Sequence, residues 1–204
     1  MDSSTLDFLR TADSAFCVTD TAEMFDRISL QWEREGFSFT KLRITPLDPV
    51  FAFSPLGVDT QEAINRFYDF LCTILRTDGS RDAQLESFTK KTLSSLYLMT
   101  DVPTLGMLYE VFRDDGVTQL TPEEKLNFYT FMVSPLAKHF NTEHRIDFSA
   151  FNACVIDISV VLGFIGEDRD FWTSVFTKAI ASCILDARVK CGLVSHVFNM
   201  TSTT

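Results

Sequence analysis

Residues 146–166, IDFSAFNACVIDISVVLGFIG, constrain the fold more than any other stretch of this chain. Wound as a helix at 100° per residue, they are apolar around nearly the whole circumference, with Ser149, Asn152 and Ser159 forming one narrow polar strip. A helix of that kind has to be enclosed by other helices. The expectation is therefore a mainly α protein: a single-domain helical bundle of seven or eight helices around a central apolar helix 147–165. The domain is expected over 1–198, with a flexible tail at 199–204. One small β-hairpin is expected near 38–53, because residues 37–45 (FSFTKLRIT) and 50–53 (VFAF) alternate or run β-rich around Pro46-Leu47-Asp48-Pro49.

Helix signals follow along the chain. A short helix is expected over 4–11, then a capping box Asp20-x-x-Glu23 opening a helix with Met24, Phe25, Ile28 and Trp32 inward and a stop at Gly36. Asp59-x-x-Glu62 precedes a second face of Ile64, Phe67, Phe70, Leu71, Ile74 and Leu75. Further helices are expected over 82–99 and 104–113. Thr121-Pro-Glu-Glu124 is the strongest start signal, with an N-cap Thr, Pro at the first helical position and Glu at the third. It opens a helix carrying Leu126, Tyr129, Met132, Val133 and Leu136, which Pro135 must kink or end. After Asp168, a last helix aligns Trp172, Val175, Phe176, Ala179, Ile180, Cys183, Ile184 and Ala187.

A net charge of −10 disfavours a surface that tracks phosphates, because non-specific nucleic-acid affinity comes from Lys and Arg. The 20 Phe against 4 Tyr and 2 Trp point to a ring-rich core, with some rings left for an interface. The five cysteines form no C-x-x-C pair and read as free thiols. Residues 1–14 lack the basic and apolar regions of a signal peptide, and no apolar run is long enough to span a membrane. The expected setting is intracellular and cytoplasmic (the host cytoplasm if the source is viral), without membrane insertion.

No nucleophile elbow, Walker loop, dinucleotide fingerprint or H-E-x-x-H helix occurs. No catalytic, cofactor-binding or metal residue is therefore assigned, and no cofactor is expected. His139, Glu143 and His144 have the wrong spacing for a metal helix and read as surface residues. Asp157 is the one chemically odd position. It lies on the apolar side of the supposed central helix, so it is expected to be a buried structural carboxylate paired with Arg145, Arg169, Lys178 or a helix N-terminus. Lys41 and Arg43 are the basic pair singled out as a contact for a partner or nucleic acid.

The reading that needs no catalytic residue is a non-enzymatic protein-interaction module, an acidic bundle that binds a protein partner through an apolar groove or self-associates, as a viral or regulatory accessory protein would. An enclosed apolar helix in a bundle resembles the architecture of Bcl-2-type regulators of cell death, whose Asn-Trp-Gly-Arg signature is absent here. The alternative is a self-assembling coat or nucleocapsid subunit that binds RNA locally. A bundle with a small hairpin is similar in architecture to coat proteins of rod-shaped plant viruses, without their paired Arg and Asp residues. A third reading is an enzyme with a dispersed, motif-less site.

Overall fold

The computed structural model describes residues 14–46, 60–77, 82–101, 103–114, 120–141, 146–165, 168–191 and 196–200. The protein is mainly helical and carries a parallel sheet. In chain order the elements are β1 (Ala15–Thr19), α1 (Ala22–Arg34), β2 (Thr40–Arg43), α2 (Gln61–Leu75), α3 (Ala83–Met99), α4 (Leu105–Arg113), α5 (Pro122–Val133), β3 (Ala153–Asp157), α6 (Ser159–Gly163), α7 (Arg169–Cys191) and β4 (His196–Met200). Two 3₁₀ turns, Pro135–His139 and Phe148–Ala150, complete them. The chain divides into two compact units. One holds Met1–Asp48, Asp147–Thr177 and Ile184–Thr204; the other holds Pro49–Ile146 and Lys178–Cys183.

The first unit is built on the sheet, in the order β2-β3-β1-β4. All pairings are parallel, with Ala15↔Ala153 through Thr19↔Asp157, Ala15↔His196, and Thr40↔Cys154 through Arg43↔Asp157. This replaces the central helix 147–165. The segment is a 3₁₀ turn, then β3, then the five-residue α6. Cys154, Val155, Ile156 and Asp157 are all fully buried. A parallel strand covered on both faces is a continuous apolar run, and such a run looks like a buried helix on a wheel. The hairpin is corrected too. β2 lies parallel beside β3, while the second arm expected at 50–53 falls outside the described residues.

Helix α1 covers one face of the sheet. Phe25, Ile28 and Trp32 pack with Ala15, Cys17 and Val155, flanked by Met24, Phe37, Phe39 and Ala153. Its cap is Thr21, whose side chain accepts from the Met24 N–H, one residue beyond the expected Asp20. Gly36 ends the turn with φ +76°, a conformation natural to glycine. Residues of the opposite parity serve another cluster, where Phe16 meets Phe148 edge to face at 5.7 Å. The helix expected at 4–11 lies outside the described residues. Asn199 and Met200, assigned to the tail, belong to β4, and 201–204 lie outside the described residues.

The second unit is organised by α2. Thr60 caps it, and Ala63, Ile64, Phe67, Tyr68, Phe70, Leu71, Ile74 and Leu75 are buried. Phe70 touches the rings of Phe67, Phe131 and Phe140, while Phe112 meets Phe88 and Phe128. Lys178 of α7 donates to the Thr73 hydroxyl and, at 3.4 Å, to the Asp69 carbonyl. The capping box on α5 is complete, with Thr121 and Glu124 bonding each other's backbone. The helix stops at Val133, and Pro135 begins the 3₁₀ turn. That turn buries His139 completely, so His139 is not the surface residue expected.

Cys17, Cys72, Cys154 and Cys183 are free thiols. Burial pushes the Cys17 and Cys154 thiols from 9.0 up to about 12. In the unfolded chain they ionise near their ordinary value, whereas the folded protein keeps its protons longer. The unfolded state therefore binds fewer protons above pH 9, and stability falls as pH rises from about 9 to about 12. Urea midpoints measured across this window are expected to drop, and the Cys17→Ala/Cys154→Ala variant to drop less steeply.

Candidate functional site

Three strands of the first unit end together, at Thr19, Arg43 and Asp157, which are register partners across the sheet. Thr19 and Asp157 follow the apolar runs Ala15–Val18 and Ala153–Ile156, whereas Arg43 ends the alternating strand Thr40–Arg43. The ladder runs on past the strand ends, with Ile44 N donating to the Asp157 carbonyl and Ile158 N to the Thr19 carbonyl, both at 2.9 Å. The Thr19 hydroxyl donates to the Ile156 carbonyl at 3.2 Å. Asp20, immediately beyond β1, is also buried.

Asp157 has no solvent exposure, and both carboxylate oxygens are occupied. Oδ2 accepts from Arg43 Nε at 2.8 Å, and Oδ1 accepts from the backbone N–H of Ser159 at 2.8 Å, the first residue of α6. The Arg43 side chain remains 49% exposed and lies over the Phe25 ring, its Cζ 5.1 Å from the centroid. A buried carboxylate is costly unless paired and hydrogen-bonded, and these two donors meet that cost locally.

Of the partners expected for Asp157, Arg169 instead donates from Nη2 to the Asp20 carbonyl at 2.6 Å, and Lys178 belongs to the second unit. Arg145 lies outside the described residues. Lys41 pairs with Glu33 at 2.7 Å, both about half exposed, and sits 5.8 Å from the Phe39 centroid. Such an exposed pair contributes little to stability. The structure thus brings Arg43 to Asp157 and holds Lys41 apart on Glu33. Arg169 was singled out from sequence only as a partner for Asp157, Phe25 and Asp20 only as a core residue and a cap, and Ser159 not as a site residue at all. The signal available was two short apolar runs, Ala15–Val18 and Ala153–Ile156, each ending in polar residues.

The strand connections on either side of the β1–β3 pair run in opposite directions along the sheet. β1 and β3 are neighbours, yet β1 leads toward β2 on one side and β3 leads toward β4 on the other. Right-handed crossovers carry oppositely directed connections over opposite faces of a parallel sheet. Among the described residues no group of three or more His, Cys, Asp or Glu side chains is placed to hold a metal ion.

The ion pair is asymmetric, and mutation should expose that. Arg43→Ala leaves a buried carboxylate with one donor and is expected to cost on the order of 2–3 kcal/mol, below a fully buried pair because water reaches the vacated side. Asp157→Asn keeps an acceptor for Ser159 and is expected to cost about 1 kcal/mol. Urea titration of both variants checks the order; a costlier Asp157→Asn would contradict it.

No protein-family model matches the sequence, and no curated protein matches it.

Proposed function

We propose that this protein is a non-enzymatic interaction module whose partner-binding surface is the outward face of α5. The observation that carries this reading is an apolar stripe on that face. Leu126, Tyr129 and Val133, spaced i, i+3 and i+7, are 61%, 52% and 59% exposed. The inward face is already supplied by Phe128 and Phe131. The helix is therefore apolar on both sides, and core packing accounts for only one of them. Large apolar side chains grouped on a surface mark binding sites more often than single ones do.

A small cavity of about 100 Å³ supports the same reading. Tyr109, Phe112, Leu120 and Phe128 wall it, and Arg113 and Lys125 bring positive charge to it. It flanks the stripe through Lys125, the neighbour of Leu126. One apolar side chain of a partner fits such a space, and grooves that receive amphipathic helices work in this way. Leu98 and Met99, at the end of α3, are 90% and 81% exposed in the same unit and add apolar surface there.

The variant Leu126→Ser/Tyr129→Ser/Val133→Ser tests the proposal. Exposed residues contribute little to folding, so the urea midpoint is expected to stay near wild type, within about 0.5 kcal/mol per site. Association, with itself or with a partner captured by the wild-type protein, is expected to be lost. Size exclusion with light scattering and the 260/280 nm ratio separates the readings. A large nucleic-acid-loaded assembly selects the coat-subunit alternative, and association unchanged in the variant removes α5 from the interface.

A further inference from the structure

The geometry points to Arg43 as a preorganised binding group for an oxyanion, a phosphate or a carboxylate, at the carboxyl end of the parallel sheet. Three observations converge on this residue. Its Nε is bound to the fully buried Asp157, which is itself fixed by the Ser159 N–H. Its Cζ lies over the Phe25 ring, 5.1 Å from the centroid, and Phe25 is a residue of α1 packed into the sheet. Neither Nη amino group has a partner among the described residues, while half of the side chain is open to solvent.

Together these contacts remove the usual cost of using an arginine. A free surface Arg loses rotamer entropy when it is pinned by a ligand. Here the carboxylate and the ring have already done the pinning. What remains outward is the Nη edge, with parallel N–H donors spaced to match two oxygens of one oxyanion. A buried carboxylate behind a binding side chain is the arrangement that orients ligating groups in other sites.

Asp157 cancels most of the charge on Arg43, so recognition rests on fork geometry more than on field. Lysine keeps the charge and loses the fork. Lys41 shares the strand but is committed to Glu33. Oxyanion binding is thus expected to depend on Arg43 and not on Lys41. It is also independent of the α5 surface, which belongs to the other unit.

The test uses the full chain, isotopically labelled, titrated with sodium phosphate and separately with sodium acetate against sodium chloride at matched ionic strength. The readouts are the Nε–Hε resonance of Arg43 and the backbone amides of residues 43–45 and 157–159. A saturable shift with phosphate or with acetate is expected, and the salt that saturates first identifies the oxyanion. Arg43→Lys is expected to weaken the constant about tenfold or more, with Lys41→Ala close to wild type. Should Arg43→Lys fail to fold, the wild-type Nε–Hε signal still decides. Shifts no larger than those with chloride, or an affinity unchanged in folded Arg43→Lys, would overturn the assignment.

Discussion

The first unit depends on one long-range event, the parallel pairing of β1 with β3. Thr19 and Ile156 are 137 residues apart and share a hydrogen bond. A parallel pair has no tight turn to hold its register, so everything between the strands has to be carried as a crossover. Loop closure grows only logarithmically with length, about 0.6 kcal/mol per doubling, which is why most of the second unit, Pro49–Ile146, fits inside the connection from β2 to β3. The price is kinetic. Contacts this distant form late and leave strand edges open meanwhile.

The ion pair at the end of β3 bears on that same register. Arg43 and Asp157 are direct register partners. A slip of one residue would turn Asp157 to the other face of the sheet, away from Phe25 and Arg43, with its charge unmatched. Apolar runs such as Ala15–Val18 and Ala153–Ile156 carry little internal information against such a slip, since every position is acceptable inside. A single carboxylate with two local donors supplies it. Such a pair adds little net stability, yet removing one partner leaves an uncompensated buried charge and is costly.

Much of the helical part was legible in the sequence because its signals are local. Thr121-Pro-Glu-Glu124 forms the capping box it spells, and the α2 face of Ile64, Phe67, Phe70, Leu71, Ile74 and Leu75 is buried. The caps of α1 and α2 are Thr21 and Thr60, one residue beyond the aspartates expected, because in each case a Thr follows the Asp and takes the same role. The sheet was not legible for the opposite reason. Its strands are four or five residues long, covered on both faces where central, and paired with segments far away, so neither period nor turn chemistry marks them. Of the candidate site, Asp157 stood out as a charge in an apolar run. Its partner Arg43 did not, since 114 residues separate the two.

Helix α5 shows the same ambiguity on a smaller scale. Leu126, Tyr129 and Val133 form one stripe and Phe128 and Phe131 another, and 3.6-residue periodicity supports either as the inward face. The rings decide it. Phe131 joins Phe70 and Phe140, and Phe128 joins Tyr109 and Phe112, so each phenylalanine on α5 finds two other rings within 7 Å. Leucine, valine and a tyrosine with a polar tip are then left to the outside, where the tyrosine hydroxyl can meet water. A helix with both faces apolar is poorly suited to a lone surface position and well suited to lie between two bodies. One of those bodies is the Phe70–Phe140 cluster of its own unit, and the stripe on the other side keeps the spacing at which a second helix would pack.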